Sequence, residues 1–201
     1  LTSDILVNLN EPSKIEDSSW IEPMTYIGIW WGMHIDKYTW GREGTHGATT
    51  ERTKDYIDFA AAHDIDGVLV EGWNLGWESW LEEDNFDFTT SYPDFDLDAV
   101  TQYAEQQGVA LIGHHETGGK VESYERQLDD AMALYDSVGV PAVKTGYAGM
   151  IRPKGQHHHG QWMVNHYRRV VKEAAEHEIA INAHEPIKPT GIRRTWPNMM
   201  T

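Results

Sequence analysis

The chain has 201 residues, 40% of them hydrophobic and 11% aromatic, enough apolar material for one domain or most of a large one, so disorder is not its default state. Sixteen basic side chains against thirty-two acidic ones give a formal charge of −16, a field that repels nucleic acid and anionic lipid and favours neutral ligands and bound cations; the plain alternative is a solvated acidic surface. There is no cysteine, which excludes disulfides and thiolate zinc sites, and no apolar run reaches the ~18 residues of a membrane-crossing helix.

In chain order, Leu1 to Asn10 carries neither an initiating Met nor a basic signal-peptide region, and reads as the interior of a longer protein. Met24 to Trp31 is apolar, aromatic and β-branched, and is predicted as a first strand. Thr50 to Ala62 has a broad apolar face (Ile57, Phe59, Ala60, Ala61) and predicts a helix. Gly67 to Glu71 is a short apolar strand with a charged end, followed by a long loop from Gly72 to Phe95 rich in Trp, Glu and Asp.

Asp96 has the chemistry of an N-cap, Leu97, Val100, Tyr103 and Ala104 share one helical face, and Gly108 stands where that helix stops. Val109 to Gly113 predicts a third strand, running into His114-His115-Glu116. Tyr124, Leu128, Ala131, Tyr135 and Val138 form the stripe of a third helix closed by Gly139. Ala142 to Thr145 is the fourth strand, and Trp162, Val164, Tyr167, Val170, Val171 and Ala174 mark the fourth helix. Ile179 to Ala183 is the fifth strand, ending in His184-Glu185-Pro186, and the chain stops at Met199-Met200-Thr201 with no cap or polar tail.

Strands and helices in strict alternation, with short apolar strands, argue for a parallel α/β fold. No Gly-x-Gly-x-x-Gly or Walker-type loop follows any strand, which disfavours a nucleotide-binding sheet. The expectation is a partial (β/α)8 TIM barrel, its first five strand–helix units, since a whole barrel takes about 250 residues.

In such a barrel, reactive side chains sit at the C-terminal ends of the strands. Here those ends read Trp31, Glu71, Glu116, Gly146 and Glu185. Glycoside hydrolysis takes two carboxyl groups across the scissile bond, and Glu116 and Glu185 would point into one cavity. A strand-end glutamate taken alone is as readily a structural partner of Lys or Arg. His114 and His184 are candidates for contacts to sugar hydroxyls or for metal ligation. Lys144, flanked by apolar residues, is expected near the site or paired with a carboxylate. Six tryptophans cluster in the first half (Trp30, Trp31, Trp40, Trp73, Trp77, Trp80), a pattern of cores and equally of the flat walls on which pyranose rings stack. The run His157-His158-His159, between two glycines, reads as a solvated loop.

Seven ordered segments carry a resemblance. They are Gly28-Ile-Trp-Trp-Gly, His46-Gly-Ala-Thr-Thr, Val70-Glu-Gly-Trp-Asn-Leu-Gly-Trp-Glu78, His114-His-Glu-Thr-Gly-Gly119, Val140-Pro-Ala-Val-Lys-Thr-Gly-Tyr147, Gly160-Gln-Trp-Met-Val-Asn-His-Tyr167 and Asn182-Ala-His-Glu-Pro186. Together they resemble glycoside hydrolase family 97, and most of all its starch-utilising α-glucosidases. The resemblance implies a catalytic barrel between an N-terminal β-sandwich and a C-terminal β domain, with residues 1–201 covering part of the barrel. It implies Glu116 and Glu185 as the pair that activates water, and Glu185 also as a ligand of a catalytic calcium. It puts Glu71, His114, Lys144 and His184 against substrate, with Trp73 in the wall beside them, and a general acid beyond Thr201.

Retaining members of the family, which include α-galactosidases, place an aspartate at the end of the fourth strand. This chain has Gly146 there, which implies inversion; the resemblance itself implies an α-glucosidic bond in malto-oligosaccharides as substrate and a periplasmic or secreted enzyme. Three other readings stay open: a zinc-dependent barrel hydrolase built on His114, His184 and Glu116, a retaining α-galactosidase-like member, and an inactive fragment or sugar-binding relic.

Overall fold

The computed structural model describes residues 11–189 and 191–201; the opening decapeptide discussed above lies outside them. Five strands form one sheet in sequence order: β1 (Tyr26–Ile29), β2 (Gly67–Val70), β3 (Ala110–Glu116), β4 (Ala142–Gly146) and β5 (Ala180–Ala183). Every neighbouring pair is parallel. The helices between them are α1 (Trp31–His34), α2 (Thr50–Ala62), α3 (Leu97–Gln107), α4 (Val121–Ser137) and α5 (Gln161–Glu176), with a final turn α6 (Ile192–Thr195). This is the repeating strand–helix order of a (β/α)8 barrel, present in part.

Local chemistry sets the boundaries. Thr49 accepts the Arg52 amide and starts α2, and Asp96 accepts the Ala99 amide at 2.9 Å and starts α3. Gly108 ends α3 in the left-handed region, at φ 69°. The stripe foreseen for α4 is buried at Tyr124, Leu128, Ala131 and Tyr135. Burying each large side chain of this kind contributes about 1.5–3 kcal/mol.

Two faces result. Val68, Val70, Leu111, Val143 and Ile181 pack outward in the core shared with the helices. Leu69, Ile112, Ala142 and Ala180 form a smaller inner cluster, with Met24, Tyr26, Trp30 and Met200 against it. Side-chain alternation along a strand then sends the next residues of the inner row, Glu71, His114, Glu116, Lys144 and Gly146, toward the C-terminal mouth.

Two segments depart from expectation. The first strand ends at Ile29, and Trp31 opens a helical turn in which it is 65% exposed, so Trp30 is the inward aromatic at that strand end. At the other end of the chain, Ile181 donates to Asn198 at 2.7 Å, Met200 donates to Ile181 at 2.8 Å and Ala183 donates to Thr201 at 3.1 Å. Residues 198–201 therefore lie beside β5 in parallel, as a sixth strand would begin.

Candidate active site

The mouth of the barrel gathers Glu71, His114, Glu116, Lys144, Gly146 and Glu185. Glu71 is buried and accepts from Lys144 Nζ at 2.6 Å, with His114 Nε2 at 3.5 Å. Burial is the largest single influence on Glu71 and pushes its pKa up, but His114, Lys144 and His34 together outweigh it and hold the carboxyl below its ordinary value. Trp30 lies under the same ammonium, 5.7 Å from Nζ to ring centroid. His114 is itself buried, which drives its pKa down to about 4 against the raising pull of the Glu71 carboxylate.

Glu116 is held otherwise. Among the described residues no cation bonds its carboxylate; its Oε1 accepts from the Gly118 amide at 2.7 Å and the Ala148 amide at 3.1 Å. Burial dominates and raises its pKa to about 7, against the lowering effect of those two N–H groups. The turn that brings the first N–H round needs glycine. Gly118 and Gly119 both have positive φ, and a Cβ on either would come within 2.5 Å of a backbone oxygen, that of Trp80 or Met150. Across the cleft, Glu185 Oε2 accepts from the Tyr147 amide at 3.0 Å, and Oε1 lies 2.7 Å from His184 Nδ1. Glu185 has φ 54°, a left-handed conformation costing about 1–2 kcal/mol in a residue with a Cβ.

Gly146 completes the arrangement. A Cβ built there would stand 2.0 Å from Glu116 Oε2, so the carboxylate of the third strand fills the space that a side chain on the fourth strand would take.

With that geometry established, comparison with known proteins gives the lineage. A family model for glycoside hydrolase 97 matches residues 30–201. The chain belongs to glycoside hydrolase family 97. A family 97 enzyme from Pseudoalteromonas sp. strain K8, solved with acarbose, is 55% identical, with a TM-score of 0.90 over 98% of this chain and 31% of that one. A variant of the same enzyme was solved with panose. The retaining α-galactosidase of Bacteroides thetaiotaomicron is 27% identical over 199 residues, which are 96% of this chain and 26% of that protein. Residues 1–201 thus span between a quarter and a third of these family 97 relatives.

Among the residues singled out from sequence, Glu71 and Lys144 form one ion pair with His114 against it. Glu116 and Glu185 are held by consecutive amides of one turn, those of Ala148 and Tyr147. His184 is 59% exposed at its side chain. Trp73 departs from the wall foreseen for it: it is 2% exposed and packs on Phe95 and Tyr135, and its indole N–H donates to the His114 carbonyl at 3.2 Å. It therefore presents no ring face to the cleft and braces the end of β3 from behind. Trp77 is equally buried, stacked on Trp40 at 4.9 Å and near-parallel to His114.

The zinc arrangement of His114, His184 and Glu116 does not assemble. Among the described residues, the one three-membered group with converging donor atoms is Asp129, Glu173 and His177, on the helices. The histidine run carries more than its sequence signalled. His157, His158 and His159 line a depression with Glu185 and Pro186, and His158 Nε2 donates to the Tyr147 carbonyl at 2.9 Å. Only the hydrogen-bonding partner, which lies on another loop, reveals that role.

A hard cation such as calcium suits carboxylate oxygen, and Glu185, its side chain 38% exposed, is the carboxylate at the mouth with room for one. Calcium takes about six to eight oxygen ligands, however, and no group of three converging acidic ligands forms here among the described residues. The donor type fits and the donor number does not: these residues alone do not make up a calcium site.

Proposed function

We propose that this chain is part of the catalytic barrel of a longer, inverting α-glucoside hydrolase acting on malto-oligosaccharides. The reading rests on Gly146. Retention needs a carboxylate nucleophile, and here the fourth-strand position has no side chain, while Glu116 occupies the space one would need. Glu116 and Glu185 then share the water: one accepts its proton as the oxygen bonds to the anomeric carbon, and the other orients it. The glycosidic C–O bond breaks on the opposite face, and the leaving oxygen takes its proton from an acid outside residues 1–201. In an inverting enzyme that acid and the base that takes the water's proton stand roughly 6.5–9.5 Å apart, which leaves room for the water. Glu71, held charged by Lys144, is suited to accept hydrogen bonds from sugar hydroxyls.

Calcium, held in part by Glu185, would supply electrostatic stabilisation of oxygens near the scissile bond. The acarbose and panose complexes of the 55% identical enzyme support an α-glucosidic substrate. The α-galactosidase name of the 27% identical relative supports a retaining enzyme for galactosides, a reading to which Gly146 is the objection. A periplasmic or secreted location belongs to the same proposal and rests on kinship alone.

The test is proton NMR of maltose cleavage by the complete gene product. We expect β-glucose first, and loss of the reaction in chelator with recovery on adding calcium. Early α-glucose would refute inversion. Cleavage of an α-galactoside with maltose left intact would favour the second reading, and no cleavage of either would leave a sugar-binding relic.

A further inference from the structure

The two water-activating carboxylates are held by one short turn. Residues 146–148, which leave β4, present two successive N–H groups: Tyr147 to Glu185 Oε2 at 3.0 Å and Ala148 to Glu116 Oε1 at 3.1 Å. The carbonyls of the turn are also taken. That of Gly146 accepts from the Thr117 amide at 3.0 Å and the Thr117 hydroxyl at 2.9 Å. That of Tyr147 accepts from His158.

What fixes the turn lies beneath it. The Tyr147 ring is fully buried, and its hydroxyl is 2.9 Å from His166 Nε2. His166, 2% exposed, has its Nδ1 2.8 Å from Glu125 Oε1, and Glu125 Oε2 accepts from Arg169 at 2.9 Å on the surface of α5. The directions of these bonds follow from chemistry. A carboxylate can only accept, so His166 Nδ1 carries the proton. Burial is the main cause lowering the His166 pKa and keeps the ring neutral, so Nε2 is an acceptor and the Tyr147 hydroxyl donates to it. The four side chains join α4, α5 and the β4 turn, and the tyrosine is the member that enters the turn.

We infer that Tyr147 is a positioning residue, anchored by His166 and Glu125, that sets both Glu116 and Glu185 through the backbone of its own turn. This rests on the proposed role of those two glutamates. None of the three anchoring side chains touches the reacting atoms by this account. Their effect is to keep two N–H groups aimed, so that both carboxylates meet the same water. Losing the tie lets the turn relax and misaims two groups at once, which lowers turnover more than substrate binding. Partners that orient ligands at metal centres typically cost about 10–100-fold in activity when lost, and we expect the same scale here.

The decisive variant is Tyr147→Phe in the complete gene product, which keeps the ring and removes the anchoring oxygen. With maltose we expect kcat to fall by about 10–100-fold, KM to stay within about twofold, and the protein to melt as cooperatively as the parent. Glu125→Gln, isosteric and at a side chain 23% exposed, should lower kcat in the same sense by a smaller factor, and it decides the matter if Tyr147→Phe does not fold. A folded Tyr147→Phe with unchanged kcat overturns the inference, as does a loss that appears only as reduced thermal stability. Glu116→Gln and Glu185→Gln, assayed in parallel, separate the two layers. If both keep full activity, the underlying reading fails; if both abolish it while Tyr147→Phe does not, only the positioning role fails.

Discussion

Glu116 and Glu71 are both buried carboxyls at strand ends, and their surroundings drive them to opposite states. Glu71 has an ammonium within bonding distance and stays ionised, while Glu116 is bonded by two backbone amides and its pKa is pushed up to about 7. That rise is a stability statement with a definite sign. An unfolded glutamate titrates near the ordinary value of 4.5, so below that pH both states hold the proton and nothing is lost. Between 4.5 and about 7 the folded state binds more protons than the unfolded one, and stability falls as pH rises. Above pH 7 the whole cost is present, about 3 kcal/mol at about 1.4 kcal/mol per tenfold change in proton affinity. Glu116→Gln keeps an oxygen to accept from Gly118 and Ala148 and removes the charge. In the complete gene product its barrel transition should lie several degrees above the parent at pH 8 and coincide with it near pH 4. Calorimetry at the two pH values is the check, and equal transitions at pH 8 would mean that Glu116 sits in a far more polar place than described here. Its loss of activity and gain in stability would then share one cause, a charge held in an apolar site for use.

The elements that carry these groups were largely legible in the sequence because parallel strands and amphipathic helices differ in period. The stripe from Tyr124 to Tyr135, the cap at Asp96 and the stop at Gly108 are local signals, and they hold. Two things were not local. The tryptophan cluster could line a cleft or fill a core, and only the packing of Trp73 against Phe95 and Tyr135 decides that this one is core. The tie between His158 and Tyr147, like that between His166 and Glu125, joins residues from different segments, and no spacing rule reaches it. The pairing of Lys144 with Glu71 was foreseen only as some carboxylate. It couples β4 to β2 across β3, and it is nearly dry, the side chains being 15% and 9% exposed. Removing one partner of such a pair leaves a buried charge and costs about 3–5 kcal/mol. Lys144→Met should therefore lower the barrel transition markedly in scanning calorimetry, and the double variant Lys144→Met with Glu71→Gln should recover a good part of the loss. If the double variant is no more stable than the single one, the penalty arises from lost packing over Trp30 and not from the orphaned carboxylate.

At the scale of the whole molecule, two opposing terms govern the behaviour of residues 1–201 expressed alone. The sheet leaves β1 without a strand on its outer side among the described residues, and the edge beyond β5 carries only residues 198–201. Its inner face holds Leu69, Ile112, Ala142 and Ala180, already buried beneath Met24, Tyr26, Trp30 and Met200, so the edges are what the chain leaves open. Unpaired edges favour association with further copies. Against this stands the formal charge of −16, whose repulsion keeps copies apart at low ionic strength. The Debye length falls from about 30 Å at 0.01 M salt to about 8 Å at 0.15 M, so repulsion between whole chains is largely screened at the higher value, while edge pairing is not. Sedimentation velocity should accordingly show the isolated chain shifting from small species to oligomers as sodium chloride rises through that range. Association that weakens with salt would mean that ion pairs join the copies. A monomer at both ends of the range, with a single cooperative melt, would show that the five strands form a self-sufficient unit. In that case Met24, Tyr26, Trp30 and Met200, which already cover the cluster around Ile112, suffice to close the inner face, and the partial barrel would be a domain in its own right.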